Sequence, residues 1–110
     1  MYIDIEDRDP VWLKDKGDHF FRRHDFNAAV NAYCKALETD KDFLKVYLNR
    51  ATTFLKMRRF ENCIEDLDEI IKRVGEVKES EREADPFYSI ILSRALVKKG
   101  AARAFLSQFE

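Results

Sequence analysis

Residues 17–37 have the sequence GDHFFRRHDFNAAVNAYCKAL, and residues 51–71 have the sequence ATTFLKMRRFENCIEDLDEII. The two stretches repeat the same residue types 34 positions apart, so that Gly17 corresponds to Ala51 and Phe26 to Phe60. In each stretch, apolar residues recur every three or four positions on both sides of a short polar turn, which predicts two amphipathic helices. A period of this length with two helices per unit predicts an all-α repeat fold.

The first repeat carries recognisable helix boundaries. Asp9-Pro10 predicts a helix start, because Asp caps a helix and Pro fits its first turn. We expect this helix to end near Arg23 and its partner to begin near Phe26. Small residues such as Ala29 let the two helices approach closely as an antiparallel hairpin. The predicted core comprises Phe20, Phe26, Ala29, Tyr33, Leu37, Phe54, Phe60, Ile64 and Leu67.

A third unit is predicted from Pro86 onward. Leu96, Gly100 and Arg103 follow the register of the first helix of a repeat, and Phe109 lies where the next aromatic residue would fall. Gly100 comes 15 residues later than the period requires, and the excess falls in a charged stretch rich in Glu and Lys. We expect that stretch to extend the preceding helix and then to form a loop.

These boundaries predict one domain over residues 1–110. Its parts are repeat 1 at about 10–42, repeat 2 at about 43–74, a charged linker or helix extension at about 75–85, and the first helix of a truncated third repeat at about 86–108. A first helix without its partner leaves an apolar flank open. The sequence therefore predicts a fragment of a longer protein, or an end covered by self-association.

The composition excludes several classes of partner. Twenty Lys and Arg against 21 Asp and Glu give a net charge of -1, which disfavours nucleic acid as the main ligand. The apolar runs are far shorter than the roughly 20 residues that a membrane span needs. Residues 1–9 are acidic and unlike a signal peptide. We therefore expect a cytoplasmic protein with no membrane partner.

The sequence also lacks the motifs of an enzyme. Cys34 and Cys63 are too few for a disulfide framework, and we interpret both as reduced packing residues. His19 and His24 have no Cys or acid at a metal-ligand spacing. No Gly-rich phosphate loop or nucleophile motif is present. We expect no catalytic residue, no metal and no cofactor.

The repeated residues resemble the tetratricopeptide repeat family. The resemblance rests on the small residue of the first helix, on the aromatic residue that follows it and on the aromatic residue that opens the second helix: Gly17 and Ala51, Phe20 and Phe54, Phe26 and Phe60. It implies helix hairpins stacked as a right-handed superhelix, an α-solenoid, whose concave face is lined by the first helix of each repeat.

Polar residues exposed on those first helices are the candidate ligand contacts. Lys14 and Asp18 lie four apart on the first of them, Asn49 lies on the second, and Arg94 and Lys98 lie four apart on the third. Two Lys, one Arg and one Asn around a groove suit an extended peptide rich in carboxylates.

The same set resembles the carboxylate clamp of tetratricopeptide co-chaperones. The resemblance implies that the partner is the acidic C-terminal peptide of Hsp90 or Hsp70. Asn49-Arg50 keeps a dipeptide of that pattern, whereas Asp18 departs from it, because the family has Asn there. An ionised Asp can only accept hydrogen bonds, so a donor to the ligand is lost.

Residues 9–17, DPVWLKDKG, and residues 47–51, YLNRA, are similar to the dynein axonemal assembly factors within this family. This similarity covers about residues 9–71. It implies a cytoplasmic co-chaperone adaptor in the preassembly of dynein arms, with dynein assembly factors among its partners.

An alternative stays open: an assembly scaffold whose repeats bind a folded partner or self-associate without a peptide clamp. Asp18 is the feature that most favours this alternative.

Overall fold

Over residues 8–108, the part that the computed structural model describes, the chain is helical and contains no strand. The all-α prediction is confirmed. None of these helices is long and apolar enough to cross a membrane. Phe109, expected to open a further helix, lies outside the described residues. The helices are α1 (Pro10–Arg22), α2 (Phe26–Thr39), α3 (Leu44–Lys56), α4 (Phe60–Glu76), α5 (Glu79–Ala84) and α6 (Pro86–Ser107).

Capping residues explain where α1 and α6 begin. The Asp9 carboxylate accepts a hydrogen bond from the backbone N–H of Val11 at 2.9 Å. The Asp85 carboxylate accepts one from Phe87, also at 2.9 Å. Each of these acids precedes a proline in the first helical turn, where a missing N–H costs nothing. Both starts agree with the sequence prediction.

The turns of the two hairpins repeat with the period of the sequence. His24, between α1 and α2, has φ 62°, and Arg58, between α3 and α4, has φ 60°. These two residues, 34 positions apart, are the non-glycine residues with positive φ among those that the structure describes. In both turns the following N–H donates to a carbonyl five residues back, at 2.9 and 2.8 Å. The left-handed residue closes the first helix and reverses the chain.

The hairpins stack side by side. Helix α2 packs against α3, and α4 packs against α6, while α1, α3 and α6 contact one another in succession. This arrangement agrees with an α-solenoid. In the charged stretch, the predicted loop is wrong: α4 ends at Glu76, and the separate helix α5 follows and packs on α6. Its Glu, Arg and Ala residues favour helix, and Asp85-Pro86 ends it.

Five of the nine predicted core residues are buried, namely Ala29, Tyr33, Leu37, Phe54 and Leu67. The prediction is wrong for Phe20, Phe26, Phe60 and Ile64, which are only half-buried. These four lie near the turns of their hairpins, where fewer helices surround a side chain. Phe20 and Ile64 still pack against the core, and Phe26 pairs with the ring of Phe21 at 5.5 Å between centroids.

Gly17 and Tyr33 pack closely against each other in the first hairpin. Both residues are buried, and the Tyr33 ring lies directly over the Gly17 backbone. A Cβ at position 17 would come closer than 3.0 Å to three atoms of that ring. The hairpin therefore requires a residue without a side chain at this position.

We predict that Gly17→Ala destabilises the domain by about 1–3 kcal/mol, because overpacking outweighs the roughly 1 kcal/mol by which Ala favours helix over Gly. Gly100→Ala is the matched control, since a Cβ there meets nothing within 4 Å. It should leave the free energy of unfolding unchanged or raise it. Urea unfolding followed by circular dichroism measures both, and equal stability of the two variants would contradict the contact.

Candidate functional site

Two adjoining cavities lie along the first helices of the repeats. The first, of about 280 Å³, is lined by Asp18, Phe21, Arg22, Tyr33, Asn49 and Thr52. The second, of about 530 Å³, is lined by Leu48, Asn49, Thr52, Ser93, Arg94, Val97 and Lys98. Because Asn49 and Thr52 belong to both, the two cavities form one continuous surface, which we call the groove.

Helical spacing explains how the groove obtains its side chains. Asn49 and Thr52 lie three apart on α3, and Arg94 and Lys98 lie four apart on α6, so each pair shares one face of its helix. Val97 lies on the same side of α6 and is 74% exposed. The second cavity thus combines two cations and several hydrogen-bonding groups with an exposed apolar side chain.

The carboxylate of Asp18 joins three helices at the first cavity. Its Oδ2 accepts a hydrogen bond from Nζ of Lys14 at 2.8 Å. Its Oδ1 accepts one from Nδ2 of Asn49 at 2.9 Å and another from the hydroxyl of Tyr33. The donors come from α1, α2 and α3, so Asp18 links both helices of the first hairpin to the second hairpin.

This network changes the acidity of its members. Burial of the Tyr33 hydroxyl raises its pKa, and the hydrogen bond to Asp18 raises it further. Burial alone would lower the pKa of Lys14, but its hydrogen bonds to Asp18 and Asp15 outweigh that effect and raise it. Tyr33 is therefore a neutral donor and Lys14 a permanent cation at neutral pH.

The structure separates Lys14 from the other predicted contacts. Asn49, Arg94 and Lys98 line the second cavity together, and Asp18 lines the first with Asn49. Lys14 is among the lining residues of neither cavity, and its side chain is only 14% exposed. It is held by Asp18 and by Asp15, the latter at 3.2 Å. Ligand binding by these five residues stays a prediction.

Sequence reasoning missed Arg22. It lies four residues after Asp18 on α1 and lines the first cavity. The side chains of Arg22, Arg94 and Lys98 make no ion pair or hydrogen bond with any residue in 8–108. Its spacing from Asp18 was the available signal. Lys14 lies at the same spacing on the other side of Asp18, so spacing alone does not distinguish the two cations.

The buried thiol of Cys63 lies on α4, outside the groove. Burial raises the pKa of the Cys63 thiol to about 11, helped by the charge of Asp66, so this thiol is protonated at neutral pH. Among residues 8–108, no cluster of three His, Cys, Asp or Glu side chains is suited to hold a metal ion. The groove presents hydrogen-bond donors and cations on its surface.

Comparison with solved structures identifies the fold. The chain superimposes on the Arabidopsis OM64 TPR domain with a TM-score of 0.69 at 22% sequence identity, covering 94% of this chain and 74% of the other. The chain has the fold of a tetratricopeptide repeat domain. No protein-family model matches the sequence.

Two groups of relatives resemble this tetratricopeptide repeat domain in sequence. Hsp70-Hsp90 organizing protein 3 of Arabidopsis thaliana is 35% identical over 92 residues, which is 82% of this chain. Dynein axonemal assembly factor 4 of Mus musculus is 43% identical over 61 residues, which is 56% of this chain. The chain spans only 15% and 14% of these two relatives. Neither name denotes an enzyme, which agrees with the prediction of a binding module.

Arg50, next to Asn49 in sequence, joins α3 to α4 within the second hairpin instead of lining the groove. Its Nε and Nη2 donate to the two carboxylate oxygens of Asp66 on α4, at 2.9 and 2.6 Å. Its Nη1 lies 3.4 Å from Sγ of Cys34 on α2. Asp66 is 4% exposed, so this bidentate pair is largely shielded from water.

We predict that Asp66→Asn lowers the free energy of unfolding by about 1–3 kcal/mol, because it leaves the Arg50 guanidinium without its charge partner in a largely buried place. Asp68→Asn is the control on the same helix. It removes an ion pair with Lys99 in which the Asp68 side chain is 50% exposed, and such pairs contribute about 0–1 kcal/mol. Equal losses in urea unfolding would contradict a special role for Arg50 and Asp66.

Proposed function

We propose that this domain binds the acidic C-terminal tail of Hsp90 or Hsp70 through a carboxylate clamp. The observation that carries the proposal is the second cavity, where Asn49, Arg94 and Lys98 meet. A guanidinium, an ammonium and an amide are the donors that hold a carboxylate best. Both cations lack a carboxylate partner within residues 8–108, so a ligand can supply it.

The form of the groove supports an extended peptide as the ligand. The cavities are open and follow α1, α3 and α6 in succession, so a chain laid across them contacts several repeats. Leu48 and Val97 offer apolar contact beside the cations. A short peptide with acidic groups and a flanking apolar side chain fits this chemistry.

The names of the relatives support the choice of partner. Hsp70-Hsp90 organizing proteins point to chaperones, and we extend that association to this chain. The name of dynein axonemal assembly factor 4 points to the assembly of axonemal dynein. We propose on this basis that the domain is part of a cytoplasmic co-chaperone adaptor in the preassembly of dynein arms, with dynein assembly factors among its partners. We propose both roles for this domain by analogy with these relatives, although the chain spans only a small part of each of them.

A second candidate function is an assembly scaffold that binds a folded partner or itself. The Asp18 carboxylate supports it, because Asp18 already engages Lys14 and Asn49, two donors that a clamp would give to its ligand. Exposed apolar residues on α6 also support it, since they could contact a protein surface: Phe87, Ile90, Leu96, Val97 and Phe105. A scaffold would bind independently of the ligand's terminal carboxylate.

The decisive experiment is a calorimetric titration with an acidic peptide in two forms, one ending in a free carboxylate and one amidated. A clamp predicts tighter binding of the free acid. Lys98→Ala should weaken that binding by about 1–3 kcal/mol, the usual contribution of a hydrogen bond to a charged group. Added salt should weaken it as well, because it screens exposed charges.

Arg103→Ala serves as the control for Lys98→Ala. Arg103 is an exposed cation on the same helix and lines neither cavity. It should leave the affinity within about 0.5 kcal/mol of the original protein. Equal affinity for the acid and the amide, with no effect of Lys98→Ala, would favour the scaffold.

We further predict that Asp18→Asn tightens binding of the free-acid peptide by about 1 kcal/mol, the scale of repulsion between like charges in an open groove. The amide oxygen can still accept from Tyr33 and Asn49, whereas its NH₂ group cannot accept from Lys14. Lys14 is then released, and a negative charge leaves the first cavity. Paired titrations with one peptide measure the change.

Asp15→Asn is the control for this prediction, because Asp15 also bonds to Lys14 but its side chain is 66% exposed and lines neither cavity. It should change affinity much less, since Asp18 keeps its hold on Lys14. An unchanged or weaker affinity for Asp18→Asn would mean that the peptide carboxylate does not lie over α1.

A further inference from the structure

Arg22 is the cation of α1 that reaches the groove. It is the last residue of the helix, four positions after Asp18 and eight after Lys14, so all three lie on one side of α1. It lines the first cavity beside Asn49 and Thr52, which also line the second. A ligand that leaves the second cavity across α3 therefore meets Arg22.

The charge of Arg22 is not neutralised within the described chain. Its guanidinium makes no ion pair or hydrogen bond with any residue of the range 8–108. Asp18, the acid closest to it on α1, already accepts bonds from Lys14, Tyr33 and Asn49. Lys14 is in the opposite situation, because two carboxylates hold it and little of its side chain is exposed.

We propose that Arg22, and not Lys14, is the residue of α1 that binds an acidic side chain of a peptide lying in the groove. The inference rests on the proposed function, and it assigns a contact that the clamp pattern of the sequence does not contain. The guanidinium fork pairs with a Glu or Asp carboxylate through two parallel hydrogen bonds.

This assignment sets the register of the ligand. One carboxylate lies between Arg94 and Lys98 on α6, and a second lies at Arg22 at the turn end of α1. The amide of Asn49 and the hydroxyl of Thr52 lie between them, since both cavities share these residues. The repulsive charge of Asp18 lies in the first cavity as well, so the acidic side chain binds on the Arg22 side of that cavity.

The test compares Arg22→Ala with Arg23→Ala. Arg23 is the adjacent residue, is also exposed and carries the same charge, but lines neither cavity. The probe is a synthetic peptide that carries several Glu side chains and a free C-terminal carboxylate, titrated by calorimetry at low salt. We expect Arg22→Ala to weaken binding about 3- to 10-fold and Arg23→Ala to change it less than about twofold. Thermal unfolding checks that both variants remain folded.

A double-mutant cycle measures the coupling between Arg22 and each Glu of the peptide, which a merely structural effect of Arg22→Ala would not produce. Each Glu of the peptide is replaced by Gln in turn, and each peptide is titrated against the original protein and Arg22→Ala. One Glu should lose its contribution when Arg22 is absent, while the others keep theirs. Arg22→Lys should restore part of that coupling, because it keeps the charge without the fork.

The outcomes separate this inference from the proposed function. If the original protein does not bind the peptide, both the proposed function and the assignment of Arg22 are wrong. If it binds, but Arg22→Ala and Arg23→Ala weaken binding equally, or no Glu couples to Arg22, then the assignment of Arg22 is wrong and the proposed clamp on α3 and α6 is unaffected. A selective loss together with coupling to one Glu supports it.

Discussion

The contact between Gly17 and Tyr33 is the constraint on which the groove depends. Because position 17 lacks a Cβ, the Tyr33 ring can lie against α1 and bring its hydroxyl to Asp18. Asp18 then accepts a hydrogen bond from the amide of Asn49 and so orients the Asn49 side chain, which lines both cavities. A packing requirement in the first hairpin thus determines which donors of the groove are free.

Local rules account for the parts of the fold that could be predicted from the sequence. Asp followed by Pro marks the starts of α1 and α6, because capping and a fixed φ act within a few residues. The 34-residue period extends to backbone geometry, since His24 and Arg58 adopt the same left-handed conformation. Both hairpins have the same local turn geometry, so the periodicity of the sequence is enough to predict the turns.

What could not be predicted depends on contacts between distant residues. Asp18 finds Tyr33 and Asn49 at separations of 15 and 31 residues, and helical spacing alone gives no information on such pairs. Arg50 follows Asn49 directly, yet one step around a helix turns it toward Asp66 and the core. The exposure of the half-buried Phe60 could not be predicted for a similar reason. It depends on how far α6 covers the turn between α3 and α4, where the ring of Phe105 stacks on the ring of Phe60 at 5.5 Å between centroids.

The charge distribution implies that the proposed recognition of a peptide in this groove depends on contact at short range. The whole chain carries a net charge of only -1, so its overall field neither attracts nor repels an acidic peptide strongly. At physiological ionic strength the field of an exposed charge fades within about 8 Å. Lys14 is neutralised by two neighbouring acids, which removes it from the positive side of the groove. In the proposed complex, the cations that remain unpaired determine which acidic peptides bind, and on α1 Asp18 decides which cation that is by pairing with Lys14.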